Sequence, residues 1–173
     1  LDYTPEIVTA LEQYFDRPYA FGKLDLVAVT DFAAGAMENP GLITYRASLL
    51  LLAKTSPVGL KRSSFTVSAH ELAHQWFGDT VTLPWWDDIW LNEAFAPWME
   101  GKITQQLRPQ YRDDLGSVES AHYAMSADSL ASARRIRQPI QTRGDIAQAF
   151  DSITYVEGAL VLGMFESALG EET

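Results

Sequence analysis

The stretch His70-Glu71-Leu72-Ala73-His74, followed after eighteen residues by Glu93, decides how the rest of the chain reads. On an α-helix, residues four apart share one face and lie about 6 Å apart along the axis. Two imidazoles at that spacing can grip one metal ion. Zinc accepts nitrogen and carboxylate oxygen in a tetrahedral shell, and a catalytic site leaves one position for water. Glu71, one residue round from His70, can sit beside the ion without ligating it and take the proton of that water. Glu93 is the best candidate for the third protein ligand.

Around this motif the sequence predicts a helix from about Lys61 to Phe77, with Gly78 as the residue that ends it. Phe65, Ala69, Leu72, Ala73 and Trp76 make it apolar over most of its surface, so it should be deeply buried. Two histidines and a glutamate inside such a helix are costly unless something satisfies them. A metal ion would; the alternative is bonding to backbone or to other carboxylates. Asp87 or Asp88 can cap the next helix, which carries Trp90, Leu91, Glu93 and Phe95. Pro97 lies beyond its first turn and should kink it. Glu100, seven residues after Glu93, returns to nearly the same face. It either holds a ligand histidine by its second ring nitrogen or is a solvated charge.

Before the motif, residues 4 to 16 read as a helix, with Thr4 as N-cap, Pro5 in the first turn and Ile7, Val8, Leu11 and Phe15 as its apolar stripe. Leu24 to Thr30 reads as a strand covered on both faces. Ala33 to Asn39 is small and flexible, Pro40-Gly41 turns the chain, and Leu42 to Tyr45 forms a second short strand. Glu38 lies in the small-residue stretch, where a ligand can approach the backbone. The residues alone favour an ordinary loop charge there. After the motif, Pro109 can start a helix with Tyr111, Leu115, Val118, His122 and Met125 as its apolar stripe, which makes His122 a packing residue. Residues 131 to 144 are polar and turn-like, and Arg134-Arg135-Ile136-Arg137 reads as a solvated turn. Asp151 caps a last helix, Ser152 to Leu169, ended by Gly170. A helix, a few strands and then mostly helices give an α+β fold.

With 173 residues the chain is one domain or part of one. An apolar fraction of 47% with five Trp, seven Tyr and eight Phe supports a packed core and excludes a disordered chain. A net charge of −10 makes it a poor binder of a phosphate backbone, so nucleic acid is not an expected partner. There is no cysteine, so disulfides and thiolate metal sites are excluded and any ion must use His, Asp or Glu. No apolar run reaches the length of a membrane span, so no membrane insertion is expected. The compartment stays open, with a soluble, cytoplasmic setting favoured. The chain opens Leu-Asp-Tyr without an initiator Met and stops at Gly170-Glu-Glu-Thr173, which suggests an excised piece of a longer protein.

Gly35-Ala36-Met37-Glu38-Asn39, then His70-Glu71-Leu72-Ala73-His74, then Glu93, resembles the aminopeptidase N family of gluzincin metallopeptidases. The intervening Gln75-Trp76-Phe77-Gly78, Val81-Thr82, Trp86 and Leu91-Asn92-Glu93-Ala94-Phe95-Ala96 fit as well. The resemblance runs from Pro18-Tyr19 to Tyr155 and Gly158-Ala159. It implies a thermolysin-like catalytic domain over residues 1–173, a small sheet with a GAMEN edge strand and a mostly helical remainder. One zinc ion would be bound by His70, His74 and Glu93, with Glu71 as general base and acid. Gly35, Ala36, Met37, Glu38 and Asn39 would line the substrate, with Glu38 on the free α-amino group; this resolves Glu38 in favour of function. Tyr155 matches the tyrosine that donates to the developing oxyanion. The implied activity is a zinc aminopeptidase acting on peptides with a free N-terminus. The alternatives are an endopeptidase on the same scaffold, or a domain that is inactive when isolated. Family members usually have Gly where Ala94 stands and Lys near Glu157. They also carry an N-terminal β-domain and a C-terminal helical domain that this chain lacks, so flanking domains of a parent chain are expected partners.

Overall fold

The computed structural model describes residues 2–170; Leu1 and the terminal Glu171–Thr173 lie outside the described residues. Helix α1 spans Thr4–Phe15. Pro5 presets its first turn, but the cap position belongs to Tyr3, not Thr4. Thr4 lies inside the helix and its hydroxyl has no partner. Asp16, in the left-handed region at φ 47°, ends it. Ile7, Ala10 and Leu11 face the core, flanked by the half-buried Val8 and Phe15.

Three strands follow: β1 Asp25–Val29, β2 Ala36–Met37 and β3 Leu42–Arg46. Their order is β1-β3-β2, with β1 parallel and β2 antiparallel to β3. The fold is therefore mixed, a small three-stranded sheet among helices. β3 is central, and its Ile43 and Tyr45 are fully buried. β1 is an edge strand and not the doubly covered strand its composition suggests: Val27 is exposed and no residue of β1 is fully buried. A run rich in Val and Leu fits a buried strand and a half-covered edge equally well. β2, the Ala36-Met37 pair of the GAMEN segment, forms the other edge.

A single turn of helix, α2 (Ala47–Leu50), leads into α3, Val58–His74. Both ends of α3 lie three residues earlier than the sequence predicts. Gly78 does not cap it. At φ 134° it sits in the tight turn after the helix and donates its N–H to the Val81 carbonyl. Helix α4, Ile89–Leu107, runs without interruption through Pro97. A 3₁₀ turn, Trp86–Asp88, precedes it. Asp88 holds the N-cap position of α4, as expected, but its side chain bonds no amide of the first turn: it pairs with Arg137, while Asp87 accepts the Ile140 amide. The main core joins α1, β3, α3 and α4 through Ile7, Leu11, Tyr45, Phe65, Leu72 and Met99.

Helix α5, Asp113–Asp128, departs further from expectation. Leu115, Val118 and Met125 are exposed, and so is His122, which is therefore not a core residue. Helical spacing identifies an apolar face but not whether anything covers it. Helix α6, Arg143–Gln148, opens with a capping box between Thr142 and Asp145. Asp151 caps the last helical segment as expected, its Oδ1 accepting the amides of Ile153 and Thr154 at 3.1 Å each. The first turn of that segment, Ile153–Glu157, is π-helical; α7, Gly158–Leu169, continues it, and Gly170 closes it with a bond to the Glu166 carbonyl. Arg134 is not solvated: it is largely buried and paired with Asp151. Among the described residues no helix is long and apolar enough to cross a membrane.

Candidate active site

The packing of α3 against α4 brings His70 and His74 to Glu93. One ligand atom from each lies within 4.8 Å of the others. The ring nitrogens show how the pair is used. Nδ1 of His70 faces Glu100 Oε2 at 3.3 Å, and Nδ1 of His74 faces the Phe77 carbonyl at 3.3 Å. Both are acceptors, so each Nδ1 carries the donated proton when the rings are neutral. The two Nε2 atoms are then bare lone pairs, and they face each other at 3.3 Å. Two lone pairs and a carboxylate around one point repel unless a cation lies between them. This donor set, two imidazoles and one carboxylate, suits zinc with a position left open.

The electrostatics agree. Burial alone would lower the pKa of His70, but the hydrogen bond to Glu100 and the nearby Glu71 and Glu93 carboxylates raise it to about 9. His74 moves the other way, to about 3, through burial and then the neighbouring charge of His70. Burial raises the Glu71 carboxyl to about 8, and its buried Oε2 has no partner among the described residues. An acceptor left bare in that position is available to a reacting group.

The Tyr155 ring lies over His70, with centroids 6.2 Å apart and planes inclined by 29°. Burial, followed by the nearby Glu93 carboxylate, pushes its phenol well above the ordinary value. The phenol therefore keeps its proton near neutral pH. Close packing brings it there: a Cβ built on Gly158 would stand 2.5 Å from Ala94 Cβ, so only glycine lets α7 approach α4 this closely, one residue after Glu93.

Glu38 extends from β2 toward the same centre. Asn92 is the link. Its Nδ2 lies 3.1 Å from Glu93 Oε1 and 3.5 Å from Glu38 Oε1. The Glu38 carboxyl is raised by burial, with a contribution from Glu93. Gln75 fastens the strand behind it, donating to the Glu38 carbonyl at 2.6 Å and accepting from the Gly41 amide at 3.2 Å. In the rest of the segment, Gly35 accepts from the Arg46 amide, and the Asn39 side chain donates to Met37 and Thr44. Gly78 makes room for Asn92, since a Cβ there would meet Asn92 Oδ1 at 2.4 Å. A cavity of about 240 Å³ opens beside Glu38, walled by Thr82, Leu83, Trp85, Trp86 and Asn92.

Of the residues singled out from sequence, Glu38, His70, Glu71, His74, Glu93 and Tyr155 gather in one place, with Glu100 directly behind His70; Gly35, Ala36, Met37 and Asn39 lie along the strand that leads to it. Asn92 and Gln75 were not singled out. Their only local sign is a polar side chain beside a candidate ligand in an apolar helix.

A family model described as the peptidase family M1 domain matches residues 1–173. Human endoplasmic reticulum aminopeptidase 2 is 48% identical over 162 residues, covering 93% of this chain and 17% of the relative. A probable aminopeptidase 1 from Sulfurisphaera tokodaii is 43% identical over 173 residues, 99% of this chain and 22% of the relative. Aminopeptidase N of Canis lupus familiaris is 44% identical over 177 residues, 99% of this chain and 18% of the relative. The chain thus spans roughly a fifth of the length of the curated relatives it matches.

Proposed function

The chain belongs to peptidase family M1, and from that premise we propose that it is a thermolysin-like catalytic domain that removes the N-terminal residue of peptides with a free α-amino group. His70, His74 and Glu93 would hold one zinc ion. When bound, zinc supplies Lewis acidity, which makes water a competent nucleophile near neutral pH and polarises a carbonyl oxygen. Glu71 takes the proton of the attacking water and delivers it to the leaving amine, a role open to a buried carboxylate whose Oε2 is not bonded within the described residues. The Tyr155 hydroxyl donates to the oxygen that gains charge as the carbonyl carbon becomes tetrahedral. The edge strand β2 offers backbone groups for an extended peptide to pair with.

The observation that carries the reading is the placement of Glu38. One side chain, Asn92, touches both its carboxylate and the Glu93 carboxylate. An ammonium group bound at Glu38 would therefore sit near the ligand cluster, as removal of a single N-terminal residue requires. The test compares an aminoacyl anilide with its N-acetylated form. Only the free amine should be cleaved well, and Glu38→Ala should reduce that cleavage selectively. Equal cleavage of the two substrates would favour an endopeptidase instead.

A further inference from the structure

We propose that Arg134 is a positioning residue for Tyr155: it clamps the π-helical turn Ile153–Glu157 in the form that presents the phenol to the site. The inference rests on the reading of Tyr155 as the oxyanion donor.

A π-helical turn is wider and less favourable than an α-helical one, and it persists where surrounding contacts hold it. Here the contacts converge on Asp151. Its Oδ1 accepts the Ile153 and Thr154 amides, and its backbone carbonyl accepts the Tyr155 amide at 3.1 Å. The guanidinium of Arg134 forks onto both oxygens of the same carboxylate, with Nε 2.9 Å from Oδ2 and Nη2 on Oδ1. Nη2 also donates at 2.6 Å to the hydroxyl of Thr154, the buried residue immediately before Tyr155. Nη1 is tied down in turn by the carbonyls of Arg135 and Ile136, at 2.9 and 3.1 Å. A planar fork can serve the carboxylate and the hydroxyl together; a lysine, as a single point charge, cannot reproduce it.

The stretch that bears Arg134 is also fixed to the other side of the site. Arg137 Nε lies 2.6 Å from Asp88 Oδ1, and the Ile140 amide lies 2.8 Å from Asp87 Oδ1. Both acceptors belong to the 3₁₀ turn that opens α4, the helix of Glu93. Residues 134–140 therefore strap the turn of Tyr155 to the base of the Glu93 helix. A group that sets the position of a donor by this route should affect the rate of the chemical step more than the binding of substrate.

The experiment is a double-mutant cycle in the zinc-loaded protein, with Arg134→Ala, Tyr155→Phe and the pair, read as kcat and KM on an aminoacyl anilide. Arg134→Ala should lower kcat by about tenfold to a hundredfold with little change in KM. In the Tyr155→Phe background the same change should cost less than about twofold. An equal loss in both backgrounds would overturn the inference. A Tyr155→Phe variant with unchanged kcat would overturn the oxyanion reading instead. The two are separated by the ¹³Cζ resonance of Tyr155, assigned by its loss in Tyr155→Phe. That resonance should shift or broaden in Arg134→Ala whatever the role of the hydroxyl, and an unmoved resonance contradicts the positioning. If Arg134→Ala does not fold, Arg134→Lys keeps the charge and removes the fork. It should keep the melting temperature near that of the parent yet move the Tyr155 resonance and lower kcat; a parental kcat and resonance in Arg134→Lys would count against the clamp.

Discussion

Glu100 Oε2 lies 3.3 Å from Nδ1 of His70, while Nε2 of the same ring lies 3.3 Å from Nε2 of His74. The carboxylate thus holds the ring in the tautomer that leaves Nε2 free to ligate. Removing such an outer partner commonly weakens metal affinity by about 10- to 100-fold. Glu100→Gln should do so while the fold persists, as read by competition with a chromophoric chelator. An unaltered affinity would return Glu100 to the solvated role that the sequence alone left open.

Glu71 has a different task. It is buried and its Oε2 is unpartnered, and it lies beside the ligand cluster without being one of the three groups that converge. Glu71→Gln should therefore retain stoichiometric zinc while kcat falls by roughly 10²- to 10⁴-fold, the range for losing a positioned general base. Zinc loss in parallel with activity would instead make Glu71 a ligand.

Gly158 determines how near Tyr155 comes to Glu93. A methyl group there would stand 2.5 Å from Ala94 Cβ and 3.5 Å from the Trp90 ring, and neither can swing aside as the end of a flexible side chain would. Overpacking of this kind costs about 1–3 kcal/mol. Gly158→Ala should lower the thermal midpoint accordingly and reduce kcat by displacing α7. A variant with parental stability and rate would show that the two helices can separate freely. By contrast, Gly163→Ala, where nothing lies within 4 Å of the added carbon, should be neutral or slightly stabilising.

The capping box of α6 makes a prediction for acid. The amides of Gln141 and Thr142 donate to Asp145 Oδ2 at 3.0 and 2.7 Å, and these bonds hold its carboxyl below the ordinary 3.8. A depressed folded pKa stabilises the protein at pH above the unfolded value, and that stabilisation is lost as the pH falls through the folded one. The difference in thermal midpoint between the parent and Asp145→Ala should stay constant from about pH 7 to 5 and shrink below about pH 4. A difference that widens on acidification would mean the carboxyl is not held low in the folded chain.

How much of this could be read from the residues follows from how local each signal is. His70 and His74 are one helical turn apart, and Glu93 follows on the next helix, so their pattern survives in one dimension. The cap at Asp151 and the stop at Gly170 are local for the same reason. Asn92 and Gln75 are different. Each acts on Glu38, 54 and 37 residues away, through an approach of α3 and α4 to the sheet edge that no periodicity encodes. Arg134 sits in a basic run that resembles a solvated turn, yet its partner Asp151 lies 17 residues downstream. The exposed stripe of α5 and the open edge of β1 fail for a related reason: composition reports that a face is apolar, not that another element covers it.

The zinc content of the purified chain bears most directly on the central claim, that His70, His74 and Glu93 converge to bind one ion. Measured by inductively coupled plasma mass spectrometry after exhaustive dialysis against metal-free buffer, the parent should retain about one zinc per chain. His74→Ala and Glu93→Ala should each lose most of it while remaining folded by circular dichroism. A parent that holds no zinc when zinc is supplied, or variants that hold as much as the parent, would contradict the account.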